Sequence, residues 1–155
     1  VILITFTLIL MFDSFRQPFI ILLTLPLALI GVFPGLAIIG LAVSFPAFLG
    51  IVALSGVVVN DAIVLIDRIN RSRKDGMILE EAISEAANSR LQPIIMTTIT
   101  TVVGILPLAL TNEFWAGLGF SLVFGLIAAT MLTLIVIPVL YYLFEHRKEL
   151  KERVG

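Results

Sequence analysis

The sequence predicts an all-α, polytopic membrane helix bundle, and three observations carry that prediction. Of its 155 residues, 59% are hydrophobic and only 14% charged, against about 45–50% apolar and 25% charged in ordinary soluble domains. The apolar residues form unbroken runs, several of them long enough for the ~20 residues that cross a bilayer. Lys and Arg occur only in every second connection between those runs and in the C-terminal tail. A water-soluble core cannot hide runs of that length, so a soluble globule is excluded. No clustering of basic residues with aromatics marks a nucleic-acid footprint. With no cysteine, disulfides, thiolate metal sites and cysteine nucleophiles are excluded as well.

The elements follow in chain order. The first apolar run, 1–12, is too short for a full crossing. It begins without Met, without a basic n-region and without a small-residue cleavage site, so it does not read as a signal peptide. It is expected to be the second half of a helix belonging to a larger protein. Runs 17–43, 45–66, 93–111 and 114–144 are each long enough to span. The last exceeds one straight crossing and must tilt or begin with an interfacial turn around Phe114, Trp115 and Gly117. Trp115 at one end and Tyr141 and Tyr142 at the other match the two aromatic belts of a membrane protein. Kinks are expected at Pro26, Pro34 and Pro107, since neighbouring helices can re-satisfy the carbonyls that proline frees. Gly31 with Gly35, and Gly117, Gly119 and Gly125, point to close helix packing.

The connector 67–92 is the only sizeable polar segment. Asp75 and Gly76 predict a turn. After it Leu79, Ala82, Ile83, Ala86 and Leu91 recur at helical spacing opposite Glu80, Glu81, Ser84, Glu85 and Asn88, which predicts a short amphipathic helix on the membrane surface. A polar tail, 145–155, closes what is read as a single transmembrane domain. Arg16, then Arg68, Arg71, Arg73, Lys74 and Arg90, then Arg147, Lys148, Lys151 and Arg153 make up all ten cations, and all fall on one side of the predicted membrane. By the positive-inside rule that side, with the C-terminus, is cytoplasmic. One missed crossing would scatter the charges, so the span count gains support from the same tally.

One ionisable residue lies inside a predicted span: Asp61. It sits roughly 9 Å from the cytoplasmic end of its run, where a charge costs about 2.5–3.5 kcal/mol on insertion scales. Either the carboxyl is wetted or neutralised by Arg68 two turns below, or it lines a polar seam and exchanges protons. Asn60 beside it fits helix-to-helix bonding equally well. The next span begins on the same side, and Thr97, Thr98, Thr100 and Thr101 lie roughly 6–12 Å deep by the same count. Thr97 and Thr101 share a face with Gly104, so their hydroxyls are placed to confront Asn60 and Asp61. The alternative is that each threonine bonds its own helix backbone. Arg90 either anchors its span at the headgroups or counters a carboxylate. Asp13, Arg16 and Glu113, which is expected to cap its turn, read as solvated. His146 stands alone, without a second metal ligand, and no nucleophile–base pair, phosphate loop or zinc motif appears.

An acid among hydroxyls at one depth suits proton coupling. Desolvation favours the protonated carboxyl and nearby cations or donors favour the charged one, so a helix shift can load and release a proton. Each proton crossing contributes about 2.3 kcal/mol per 100 mV.

Longer stretches carry a family resemblance. Met11-Phe12-Asp13-Ser14-Phe15-Arg16-Gln17-Pro18-Phe19, Leu25-Pro26-Leu27-Ala28-Leu29-Ile30-Gly31, the stretch 56–67, Arg90-Leu91-Gln92-Pro93-Ile94-Ile95-Met96-Thr97-Thr98 and Gly104-Ile105-Leu106-Pro107-Leu108 stand in the order and spacing of the C-terminal membrane segment of resistance-nodulation-division (RND) efflux permeases. The chain resembles that segment over essentially its whole length. The resemblance implies the end of the eighth of twelve family spans followed by the ninth to twelfth, half of a pseudo-twofold transmembrane domain. It implies a bacterial inner-membrane homotrimer that exports solutes in exchange for protons, with no cofactor beyond the proton gradient. A periplasmic adaptor and an outer-membrane channel are the implied partners.

The missing N-terminal half would hold two acids of the fourth span, and the missing periplasmic porter domain would select substrate; alone, this chain should not pump. On the family pattern, Thr97 carries over as relay hydroxyl and Arg90 as the cytoplasmic-side cation. Asn60 stands where drug exporters have lysine and Asp61 where they have asparagine, so the charge arrangement differs from theirs. The competing reading is a non-transporting membrane scaffold in which Asp61 only registers helices. An ion channel is disfavoured by the lack of a repeated polar face. Convergence of Asp61, Asn60, Thr97 and Thr101 on an internal seam would separate transporter from scaffold.

Overall fold

The structure, a computed structural model, describes the backbone of residues 2–12 and 16–154, and side-chain surroundings within 5–12 and 16–146. Asp13 and the side chains of Arg147, Lys148, Lys151 and Arg153, which entered the reading above, lie outside the described residues. Five helices follow one another: α1 (Ile2–Phe12), α2 (Arg16–Ile39), α3 (Phe45–Lys74), α4 (Leu79–Thr111) and α5 (Glu113–Val154). The last four each contain a stretch long and apolar enough to cross a membrane.

Backbone chemistry at the ends explains the boundaries. α2 stops at Ile39 because Gly40 takes φ +77°, a left-handed conformation that glycine adopts without a Cβ penalty. The Gly40 amide then donates to the Ala37 carbonyl at 3.1 Å and Leu41 to Leu36 at 2.9 Å, the paired bonds of a Schellman cap. The run expected to continue to residue 43 is therefore cut short. α3 ends the same way, with Gly76 at φ +89° and the Met77 amide on the Ser72 carbonyl at 3.2 Å, two turns beyond the apolar stretch. Pro46 sits in the first turn of α3, where its missing N–H leaves nothing unpaired. Asn112 alone separates α4 from α5. Its side-chain oxygen accepts from the Phe114 amide at 3.0 Å and its carbonyl from Trp115 and Ala116, so Asn112 rather than the exposed Glu113 caps the turn.

The amphipathic stretch expected as a separate surface helix is helical, but it is the first part of α4 and runs into the span without a break. Pro93, Pro107, Pro26 and Pro34 are all accommodated inside helices. Glu80 and Glu81 in the first turn of α4 complement the positive end of its dipole.

α5 is the hub, packing against α2, α3 and α4, while α1 touches α2. Lipid tails are as apolar as a protein core, so close backbone approach, rather than hydrophobicity, draws such helices together. A Cβ added to Gly31 would stand 2.6 Å from the Phe124 carbonyl oxygen, one on Gly50 2.6 Å from that of Leu118, and one on Gly119 2.4 Å from the Ala109 Cβ. Two buried clusters result. Ala28, Val32, Leu36, Leu54, Val58, Leu122 and Leu126 fill one end; Ile20, Ile21, Leu65, Ile66, Ile69, Ala82, Ala86 and Ile137 fill the basic end. Tyr141, expected in an interfacial belt, is 5% exposed and turns its hydroxyl inward onto the Asn70 side-chain oxygen at 2.7 Å. Asn70 and Gln17 exchange two further amide hydrogen bonds, each 3.0 Å.

Candidate functional site

Where α3, α4 and α5 meet, a cavity of about 10 Å³ is lined by Val58 and Asp61 of α3, Ile94 of α4, and Leu126, Ala129, Thr130 and Thr133 of α5. The close contact of α5 with α3 beside it is set one turn away, where a Cβ on Gly125 would lie 2.2 Å from Leu54. Asp61 is half-buried. It makes no ion pair with the nearest cations of its own helix, because Arg68 bonds Glu85 of α4 and the Arg71 Nε holds Asp67 at 2.9 Å. Beside the cavity the Thr98 and Thr130 hydroxyl oxygens stand 2.6 Å apart across α4 and α5. The Thr98 hydroxyl also lies 3.0 Å from the Ile94 carbonyl. Thr133 is 2% exposed, and its hydroxyl has no hydrogen-bond partner.

Below the site, outside the apolar spans, Glu85 receives Arg68 on one carboxylate oxygen and the Ser72 hydroxyl, at 2.7 Å, on the other. These donors, with the more distant charge of Arg90, hold the Glu85 carboxyl below its ordinary value. The connector thus locks the basic ends of α3 and α4 together.

The model of the AcrB/AcrD/AcrF family matches residues 1–145. The chain belongs to this family. Swarming motility protein SwrC of Bacillus subtilis (strain 168) is 41% identical over 139 residues, 86% of this chain and 13% of that protein. Two crystal structures of a heavy metal efflux pump are also similar. In crystal form II the TM-score is 0.83 with 34% identity, over 93% of this chain and 14% of the pump chain. In crystal form I it is 0.78 with 37% identity, over 84% and 14%. The chain therefore spans about one-seventh of the relatives it matches, and within the AcrB/AcrD/AcrF family it corresponds to transmembrane helices of an RND efflux pump.

The four residues expected to converge on one internal seam, Asp61, Asn60, Thr97 and Thr101, do not do so within this chain. Asp61 lines the cavity. Asn60 and Thr97 are exposed, and Thr97 donates to its own helix at the Pro93 carbonyl, 2.6 Å away. Thr101 is half-buried and is not among the cavity residues. Thr100 bonds the Met96 carbonyl. Arg90 sits in the connector part of α4. Sequence reasoning passed over Thr130 and Thr133, although they are the only threonines in the last span. Their signal was the spacing of three residues that puts both on one helix face.

Proposed function

We propose that these helices form part of a proton-driven efflux transporter of the RND type and that Asp61 is their proton-binding group. The observation that carries this reading is the placement of Asp61: the one acid within the apolar spans lines a small cavity between helices among hydroxyl-bearing residues and has no cation paired with it among the described residues. A carboxyl so held changes its proton affinity when a helix shift alters its solvation or its neighbours. A scaffold carboxylate that merely registers helices would be expected to bond a fixed partner across the interface, as Asn70 does with Gln17 and Tyr141.

Asn60 on α3 and Thr97 on α4 lie on open faces of this bundle, as do Gly56 and Gly104. A Cβ at either of those glycines would meet nothing within 4 Å, unlike the tightly packed glycines against α5. In this reading, those faces receive the other half of the transporter, with Asn60 and Thr97 as relay groups and Arg90 as a cation at the cytoplasmic end. The whole protein is then a multi-pass bacterial inner-membrane homotrimer with its C-terminus in the cytoplasm. It works with a periplasmic adaptor and an outer-membrane channel and chooses cargo in its periplasmic part.

The test is gradient-driven efflux by the full-length transporter in proteoliposomes. Asp61→Asn is expected to reduce it to the level of a transport-dead control at unchanged expression. Efflux by Asp61→Asn at the wild-type rate would remove the coupling role.

A further inference from the structure

Thr133 presents an unusual combination: a hydroxyl that is almost wholly buried and unpartnered, beside the only carboxyl in the spans. Burying a hydroxyl without a hydrogen bond costs about 1–3 kcal/mol, so a native site of this kind calls for a partner. No other described residue supplies one, but the cavity that Thr133 shares with Asp61 and Thr130 measures about 10 Å³, close to the smallest volume that accepts a water molecule.

The donor and acceptor count fits one water. Either hydroxyl of the Thr98–Thr130 pair can be the donor; with the Thr98 O–H given to the Ile94 carbonyl, Thr130 donates to Thr98. Thr130 therefore offers the cavity an acceptor. Thr133 offers an O–H donor, and an ionised Asp61 offers acceptors. A water accepting from Thr133 and donating to both Thr130 and Asp61 makes three hydrogen bonds, the usual number for a buried water.

We infer that this cavity is a hydration site in which a single water joins Asp61 to Thr130 and Thr133. α5 then supplies the hydroxyl partners of the carboxyl, with Thr133 as a positioning residue that acts through the water. The inference rests on the reading of Asp61 as the coupling acid and extends it to a helix that the sequence reading left out. When Asp61 takes up a proton, the water reorients to accept from the carboxyl and stays bound between the same groups. The chain water–Thr130–Thr98 links the carboxyl to α4.

The test uses the full-length transporter in proteoliposomes and two readouts. The C=O stretching band of protonated Asp61 is isolated as the infrared difference that disappears in Asp61→Asn, and efflux is driven by an imposed proton gradient. Thr133→Val, which keeps shape and removes the O–H, is expected to move that band to higher frequency and to slow efflux. Thr133→Ser is expected to restore both. A band that stays in place in Thr133→Val, while Asp61→Asn abolishes efflux, overturns the hydration site and leaves the coupling role standing. Wild-type efflux by Asp61→Asn overturns the coupling role itself. A density map of the unaltered protein that resolves ordered water provides a check independent of any variant. Density within hydrogen-bond distance of the Thr133 Oγ1 and an Asp61 oxygen supports the site, and an empty cavity refutes it.

Discussion

Arg68 is bonded to Glu85 across the turn joining α3 to α4, and not to Asp61 on its own helix. Its residue spacing from Asp61 allows the two to share a helix face, and in an isolated helix Arg68 would be the obvious candidate to neutralise the carboxyl. The tertiary fold gives that cation a different acid. Asp61 is thereby left without an ion pair to Arg68, beside Thr130 and Thr133 in the lining of the cavity.

The ion pair makes the connector acid-sensitive. The Glu85 carboxyl is held low chiefly by the Arg68 hydrogen bond, then by Ser72. Its stabilising contribution is therefore complete above the ordinary glutamate value of about 4.3 and is lost as pH falls from there through its lowered folded value. Thermal unfolding followed from neutral pH down to that acid range is expected to show a steeper loss of stability for the wild type than for Glu85→Gln, which has no proton to take up at that position.

The Asn70 amide is the node of a second polar contact, receiving Tyr141 and exchanging two bonds with Gln17. Asn70→Ala strands both partners, whereas Tyr141→Phe removes one donor and leaves the amide pair intact. Asn70→Ala is expected to cost about 1–3 kcal/mol and Tyr141→Phe nearer 1 kcal/mol, read as the order of their melting temperatures in detergent.

Gly31 faces α5 with its would-be Cβ 2.3 Å from the Ala128 Cβ and 2.6 Å from a backbone oxygen. A backbone cannot move aside cheaply, so Gly31→Val is expected to lower stability by about 1–3 kcal/mol, the usual range for overpacking. Gly104→Ala in the same 155-residue chain meets no neighbour and is expected to keep or slightly raise the melting temperature, because alanine favours a helix interior over glycine by about 0.5–1 kcal/mol. Parallel thermal unfolding of the two variants decides this.

Thr98 and Thr130 share one short hydroxyl contact between α4 and α5. Thr98→Val leaves the Thr130 hydroxyl without this partner and is expected to destabilise by about 1 kcal/mol. The double variant with Thr130→Val should cost less than the sum of the two single variants. Additive losses in a double-mutant cycle would show that the contact contributes nothing.

Much of the architecture was legible because its causes are local. The spans follow from run length, the end of α3 from Asp75 and Gly76, and the place of Asp61 from its being the one acid in those runs. The end of α2 was overlooked because Leu41, Ala42 and Val43 are as apolar as the helix before them, and only the φ of Gly40 distinguishes the break. The separate surface helix was expected because polarity changes at residue 92, but backbone hydrogen bonding continues through that change. Hydroxyls near Asp61 were sought on α4 alone, by counting depth from where each apolar run meets the interface, whereas the cavity also brings in Thr130 and Thr133 of α5. The bond between Tyr141 and Asn70 sets a different register. Nine residues up from Asn70 and eight up from Tyr141, roughly 13 and 12 Å, bring Asp61 and Thr133 level.

From the residues alone came the number of crossings, the side on which positive charge collects, the family and the single carboxyl within the apolar layer. These depend on composition and on order along the chain. The rotation of each helix about its axis, and with it which hydroxyl-bearing residues line the cavity beside the carboxyl, was decided only by the folded arrangement. In lipid a core-facing and a lipid-facing leucine look alike, so the hydrophobic pattern cannot orient a helix. Orientation is fixed instead by glycines that let α5 press against three neighbours at once.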